Sequence, residues 1–341
     1  MADDRLTQKN SCENGMKIFI TREIPDDGLK MLKKHKGLRL DIYEKDRAIP
    51  RRELLARVNG VDVLLSILTD RIDKQVMDAA GPNLKLIANY AVGFDNIDLK
   101  EAARRGIIVT NSPGPEISEA VAEHAVALIF GLAHRIVESD TFTRAGKYHG
   151  WGPTLLLGQD VFGKTLGIIG GGRIGTALAR RMHDGFNLKI LYTDIKRNSQ
   201  MEKTFKATFR TKEQLLKESD FVSIHLPLLP STRHYISTRE LKMMKKTAYI
   251  INTARGAIVD EKALTRALIK QQIAGAGIDV FECEPLIDCD PNDTLELRKL
   301  SNVILTPHTA SATIEARQAM IRVATKNILA FVDGKTPPNS V

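Results

Sequence analysis

An imidazole just past one apolar strand and a guanidinium just past another are the side chains best placed for chemistry in this sequence. His308 follows Val303-Ile304-Leu305-Thr306-Pro307, and Arg255 follows Ile250-Ile251-Asn252-Thr253-Ala254, with Gly256 beside it. An imidazolium can hand a proton to an oxygen that is gaining negative charge, and a guanidinium fork can pin a carboxylate. His225 sits in the similar setting Val222-Ser223-Ile224-His225-Leu226-Pro227, and position alone does not separate it from His308. The other six of the eight histidines fall in helices or loops, where a solvated or satisfied imidazole is the ordinary reading. At 255 a surface arginine after a turn is the equal alternative. A carboxylate against an imidazole favours its charged form and fixes its tautomer. Asp279, Glu282 and Glu284 compete for that role, and spacing leaves them unranked.

A second constellation is rich in glycine. Thr165-Leu166-Gly167-Ile168-Ile169 runs into Gly170-Gly171-Gly172-Arg173-Ile174-Gly175, which places G-x-G-x-x-G directly after a strand and at the start of a helix. In that context Gly170 permits the tight turn, Gly172 lets a pyrophosphate approach the backbone, and Gly175 lets helix and strand pack closely. Amides at the helix start, aided by its dipole, hold phosphates, and Arg173 adds a charge over the same anion. Asp194 ends the next strand, 19 residues past Gly175. A carboxylate there accepts from both ribose hydroxyls and repels a 2′-phosphate, which favours NAD over NADP. Lys196 and Arg197 pull the other way, because they can neutralise a phosphate. A glycine turn without a ligand is the alternative.

The elements that position these residues alternate. From Met16, short β-branched runs at Lys17 to Thr21, Leu38 to Ile42, Val61 to Leu65 and Leu84 to Ala88 are separated by helical stretches from about Asp26, from about Arg51 and around Asp73 to Ala80. This is the pattern of parallel βαβ units. Ser118 to Ile136 reads as one long buried helix, apolar around much of its circumference. After a Gly/Pro/Trp-rich connection from Gly146 to Gly158, six strands follow: Thr165 to Ile169, Lys189 to Thr193, Asp220 to Ile224, Thr247 to Asn252, Ala274 to Val280 and Asn302 to Thr306. Six strands separated by helices predict a doubly wound sheet. The last amphipathic helix runs from about Ile314 to Phe331. The fold class expected is therefore α/β with two Rossmann-like doubly wound domains.

Bulk properties narrow the functions. A chain of 341 residues exceeds one ordinary core, so two domains are expected. No apolar run reaches bilayer length, and the polar opening at residues 1–16 reads as a flexible leader without a secretion signal, so a cytoplasmic protein with no membrane contact is expected. Cys12, Cys283 and Cys289 make no disulfide framework and no metal site, and reduced thiols are expected. The formal charge of +9 comes from scattered basic residues without aromatic interleaving, and only 5% of residues are aromatic. That argues against nucleic acid and for anionic cofactors and carboxylates.

From Met16 onward the sequence resembles the D-isomer-specific 2-hydroxyacid dehydrogenase family. The carriers are Asn89-Tyr90-Ala91-Val92-Gly93-Phe94-Asp95-Asn96-Ile97-Asp98, the glycine fingerprint, His225-Leu226-Pro227-Leu228, Asn252-Thr253-Ala254-Arg255-Gly256, the stretch to Glu284-Pro285, and Thr306-Pro307-His308. The resemblance implies that Arg255 holds the carboxylate and carbonyl of a 2-oxo acid, that His308 is the acid/base, and that Glu284 tunes His308. It implies carboxylate binding by the backbone of Val92 and Gly93. Asp279 matches the acid that meets the nicotinamide carboxamide, His225, Pro227 and Thr232 match the adenosine side, and Thr253 and Ala254 go with the cofactor.

The resemblance further implies a flavodoxin-like, discontinuous substrate domain (17–111 plus 312–341) around an NAD-binding domain (112–311). AVGFDNID together with Trp151-Gly152-Pro153 is most similar to the glyoxylate/hydroxypyruvate reductase branch. There the tryptophan reaches the partner's site in a homodimer, so Trp151 is a candidate substrate wall, with a buried hinge residue as the alternative. Gly171 departs from the usual apolar residue within the fingerprint, which predicts a looser turn. The implied activity is NAD(H)-dependent reduction of a small 2-oxo acid, glyoxylate or hydroxypyruvate first, to the D-2-hydroxy acid. Phosphite or other small-anion oxidation, and an NAD-sensing corepressor-like binding module, are the competing readings.

Overall fold

The computed structural model describes residues 15–284 and 296–341. They form two compact units, one of residues up to Gly114 together with Ile314–Val341, the other of Pro115–Thr313.

The first unit is built on β1 (Met16–Ile20), β2 (Leu38–Ile42), β3 (Val63–Ile67), β4 (Leu86–Tyr90) and β5 (Ile108–Thr110). They pair in parallel in the order β2-β1-β3-β4-β5, the flavodoxin-like order. β3 and β4 are covered on both faces, so they read as nearly unbroken apolar runs. Between strands, the helices Asp26–Lys34 and Arg51–Arg57 start directly after Pro25 and Pro50, and the next two start where an aspartate caps them. Asp73 accepts from the amides of Gln75 and Val76, and Asp98 from that of Glu101, each cap worth about 1 kcal/mol. The helix Ile314–Val332 completes this unit. A Cβ on Gly28 would lie 2.1 Å from Ile321 Cγ1, so only glycine lets the helix Asp26–Lys34 lie this close to it. Tyr90 donates to the carbonyl of Arg317 at 2.9 Å, and Asn327 Nδ2 to that of Asn111 at 3.0 Å.

The second unit carries β6 (Thr165–Ile169), β7 (Lys189–Thr193), β8 (Thr208–Phe209), β9 (Phe221–Ile224), β10 (Tyr249–Asn252), β11 (Gly275–Ile278) and β12 (Val303–Leu305). Among the described residues they form one parallel sheet in the order β12-β11-β10-β9-β6-β7-β8. The order reverses between β6 and β9, and doubly wound folds open a crevice outside the strand ends at that point. The helix Pro115–Ala133 packs on the sheet through Ala125, Leu128, Ile129 and Leu132. Gly277 admits it, because a Cβ there would already sit 3.0 Å from Leu128 Cβ.

Several expectations are corrected. The long helix does not run to Ile136. It ends at Ala133, Arg135 turns the chain through a left-handed conformation (φ 52°), and a second helix occupies Ile136–Arg144. The sheet of the second unit has β8 in addition to the six strands expected, because two residues carry no readable alternation. β5 escapes notice for the same reason at three residues. Cys283 is disulfide-bonded, against the expectation of reduced thiols. No single helix among the described residues is long and apolar enough to cross a membrane.

Candidate active site

The glycine turn is rigidly specified. Gly170 has φ +101°, and a Cβ on it would stand 2.5 Å from the carbonyl oxygen of His225. At Gly175 a Cβ would stand 2.2 Å from the Gly170 oxygen, so the helix Arg173–Phe186 can leave β6 at this angle only without one. Gly172 differs, because nothing lies within 4 Å of where its Cβ would be. Open space in front of Gly172, next to the amides that begin a fourteen-residue helix with Arg173 and Ile174, suits a phosphate group.

Gly171 does not loosen the turn. Its amide donates to Asp194 Oδ2 at 2.7 Å, its carbonyl accepts from Asn198 Nδ2 at 2.7 Å, and Tyr192 covers it. Asp194 is thereby fixed at the end of β7, with Oδ1 taking the Ile195 amide at 2.6 Å. Arg197 turns elsewhere, onto Glu202 at 2.9 and 3.1 Å and over the ring of Phe209. Tyr192 donates to the same Glu202 at 2.5 Å.

Past β9, His225 holds Ser223 Oγ at 2.9 Å through Nε2, while its Nδ1 is buried without a partner. Burial alone pulls this imidazole down to about 4, so it is neutral near pH 7. No carboxylate pairs with it among the described residues, which separates it from His308. Pro227 and Thr232 close the following turn on each other, with Thr232 Oγ1 donating to the Pro227 carbonyl at 2.7 Å. Past β10, the hydroxyl of buried Thr253 also lacks a partner, and Ala254 packs on the neighbouring apolar cluster. Open space at the glycine turn, the unpartnered Nδ1 of His225 next to that turn and the unpartnered hydroxyl of Thr253 past β10 fit a dinucleotide laid along the strand ends.

His308 sits just past β12 with φ 55°, a conformation that costs a non-glycine residue about 1–2 kcal/mol. Its amide donates to the Asp279 carbonyl at 2.8 Å. The ring Nδ1 lies 2.8 Å from Glu284 Oε2. Glu284 is partly buried, which raises its carboxyl. The hydrogen bond and charge of His308, the Phe281 amide at 2.9 Å and the Arg255 charge more than offset that, and Glu284 ends below the usual carboxylate range. An ionised carboxylate only accepts, so Nδ1 carries the proton of this bond and Nε2 is the ring atom left for exchange. The contest among three acids is resolved by geometry. Glu282 pairs with Arg233 and His234 at 2.6 and 2.8 Å, and Asp279 is enclosed by the turn around His308.

Arg255 is positioned by Asn252, which is buried at the end of β10, accepts from the Ala254 amide at 3.1 Å and donates to the Arg255 carbonyl at 2.9 Å. Its guanidinium donates to the Ala254 carbonyl at 2.8 Å and is close enough to Glu284 to lower that carboxyl. Arg255, Glu284 and His308 are therefore neighbours within the second unit.

In the first unit, Asn111 Nδ2 donates to the carbonyl of Val92 at 2.7 Å and Asn89 Nδ2 to that of Gly93 at 2.9 Å. Both carbonyls of the loop are held by asparagines, which fixes the peptide planes. Residue types and spacing did not flag Asn89 and Asn111, nor His124, which meets Thr306 Oγ1 at 3.0 Å. The only signal for His124 was a titratable ring among the apolar residues of the helix Pro115–Ala133, which Glu119 and Glu123 share. Trp151 is 84% exposed, which excludes the buried hinge.

A doubly wound sheet with this turn, an acid after its second strand and a histidine–glutamate pair past its last defines a nicotinamide-dependent oxidoreductase. The D-isomer specific 2-hydroxyacid dehydrogenase, NAD binding domain family matches residues 126–310. The glyoxylate reductase of Thermococcus litoralis is 48% identical over 329 residues, 95% of this chain and 96% of that one. That of Pyrococcus furiosus is 47% identical, covering 95% of each chain. Among solved structures, the TT0316 protein from Thermus thermophilus superposes with a TM-score of 0.87 at 41% identity, covering 96% of this chain and all of that one (100%). A glyoxylate reductase from Paecilomyes thermophila gives 0.83 at 30% identity, covering 96% and 98%. The chain belongs to the D-isomer specific 2-hydroxyacid dehydrogenase family.

Proposed function

We propose that this protein is an NADH-preferring reductase of small 2-oxo acids, glyoxylate or hydroxypyruvate first, giving the D-2-hydroxy acid where the product is chiral, and that it acts in the cytosol as a homodimer. The observation that carries the reading is the His308–Glu284 pair at 2.8 Å with Arg255 beside it. The relatives named glyoxylate reductase support the substrate.

The turn Gly170 to Gly175, with Arg173 and Ile174, holds the pyrophosphate, and Asp194 the ribose. His225, Pro227 and Thr232 flank the adenosine side, and Thr253 and Ala254 the nicotinamide side, with Asp279, expected to meet the carboxamide, enclosed instead behind the turn that carries His308. When bound, the reduced ring supplies the hydride. His308 Nε2 delivers the proton that the substrate oxygen requires, Glu284 holds the opposite nitrogen in a hydrogen bond that fixes the tautomer and the ring orientation, and Arg255 pins the carboxylate bidentately. Val92 and Gly93 carry the remaining carboxylate-binding proposal. NAD preference is supported by Asp194 and by Glu202, which engages the arginine that would otherwise neutralise a 2′-phosphate.

The homodimer is supported by exposed Ile136, Val137, Tyr148, Trp151, Leu157 and Phe162, all within one segment. Val137 and Leu157 also line a cavity of about 820 Å³. Apolar surface concentrated in this way marks a contact site, and a second copy brings Trp151 to the partner's substrate.

Turnover of glyoxylate, hydroxypyruvate, pyruvate and phenylpyruvate with NADH and NADPH, for the wild type and His308→Gln, tests the reading. His308→Gln loses about 10²–10⁴-fold in kcat while NADH still binds. A wild type that binds NADH and turns over none of the acids would instead favour a binding module.

A further inference from the structure

We propose that His124 is a positioning residue for proton transfer, acting through Thr306 and Asp279 on the turn that carries His308; this rests on His308 being the proton donor proposed above. The ring lies on the helix Pro115–Ala133, with Nε2 3.0 Å from Thr306 Oγ1 and 3.6 Å from Asp279 Oδ1. Thr306 Oγ1 donates to Asp279 Oδ1 at 2.6 Å.

A hydroxyl has one proton to give, and here Asp279 takes it. The contact from His124 must therefore run the other way, with Nε2–H donating to the Thr306 oxygen. That fixes the tautomer of His124 and lines up three groups with one polarity, from imidazole to hydroxyl to carboxylate.

Asp279 has no solvent exposure, and its oxygens also take the amides of Thr309 and Ala310 at 2.8 and 2.9 Å. Its carbonyl takes the His308 amide at 2.8 Å. One residue thus binds the turn 306–310 on both sides of His308, where the backbone is left-handed. Such a conformation persists only where its surroundings over-determine it. His124 supplies the outermost restraint. Without it Thr306 keeps its bond to Asp279 but loses its donor, and the turn gains freedom at the place where His308 must meet a substrate oxygen.

The experiment compares wild type, His124→Phe and His124→Gln. Phenylalanine fills the space without a donor, and glutamine returns an N–H near the Nε2 position. kcat and KM with glyoxylate and NADH, NADH affinity by fluorescence, amide exchange at Thr309 and Ala310, and ¹⁵N spectra of histidine-labelled protein are recorded. The wild-type ring is expected as the Nε2–H tautomer. His124→Phe is expected to lose roughly tenfold in kcat, with KM and NADH affinity within about twofold, since small misplacements act on the transition state. Thr309 and Ala310 exchange faster in that variant, and His124→Gln recovers most of both losses. An Nδ1–H tautomer, a His124→Phe variant equal to wild type in kcat and exchange, or a His124→Gln variant as poor as His124→Phe overturns the proposal. If the wild type reduces no 2-oxo acid, the functional reading falls, while tautomer and exchange still decide the role of His124 in the turn.

Discussion

The carbonyl carbon of Phe281 lies 1.9 Å from the place where a Cβ on residue 256 would stand, and the amide nitrogen of Glu282 lies 2.4 Å from it. Gly256 therefore seats the segment leading to Glu284 directly against the backbone that follows Arg255. Both neighbours are main chain, so neither can swing aside as a side chain would. Gly256→Ala is expected to cost about 3 kcal/mol, the upper end of ordinary overpacking, and to lower kcat with it. Gly172→Ala is the contrast. It meets nothing, so the melting temperature stays while NADH affinity falls at least about tenfold as the phosphate is held off the amides. Thermal melts and NADH titration of the two variants check the pair, and equal behaviour of both would contradict it.

His225 sets a pH dependence. In the folded protein its imidazole titrates near 4, against about 6.5 in the unfolded chain. Between these values the unfolded chain holds more protons, so stability falls as pH drops through the window. The full loss, on the order of 3 kcal/mol, is in place below the folded value. His225→Gln removes this contribution. Between pH 7 and pH 5 the wild type is expected to lose roughly 4–8 °C more in melting temperature than His225→Gln, and parallel pH profiles would refute the assignment.

The proposed preference for NADH rests on two carboxylates. Asp194→Ala is expected to raise KM for NADH about tenfold and to narrow the gap to NADPH. Glu202→Gln releases Arg197 from its two hydrogen bonds and lowers KM for NADPH several-fold, with NADH little changed. The double variant Glu202→Gln with Arg197→Ala loses that gain. If Glu202→Gln leaves the NADPH constant unmoved, Arg197 has no part in discrimination.

Assembly is tested on the segment 136–162. Leu157→Glu places a charge on an exposed apolar residue that lines the 820 Å³ cavity. On an isolated subunit such a change is worth within about 0.5 kcal/mol, whereas at an interface it strands a charge. Sedimentation of the variant is expected to show monomers, and the wild type dimers. Dimers in both would move the interface elsewhere.

The parallel units were legible in the sequence because their strands are buried on both faces and flanked by turn residues, as at Leu166 to Ile169 before Gly170. β8 was not, since two residues at a sheet edge carry no pattern. The conformational need for glycine at 170 and 175 was readable in the turn, whereas the tight seating of Gly171 against Asp194, Asn198 and Tyr192 was not. The His308–Glu284 pair was legible only through the family resemblance, because which of three acids meets the imidazole depends on how the chain folds back between 279 and 284, and spacing says nothing of that. Arg197 shows the same limit. Its charge is visible in the sequence, but its engagement by Glu202 is decided by a helix turn that brings position 202 back toward the end of β7.

The helix Ile314–Val332 fills the core of a unit whose five strands all lie before Gly114. On a ribosome the early strands must therefore wait while the whole intervening unit is made, roughly ten to forty seconds at common synthesis rates. During that interval the face around Gly28 and Tyr90 lacks the helix that covers it. Apolar surface left open in this way is prone to aggregate, and the unit Pro115–Thr313 has its whole chain available before the first unit does.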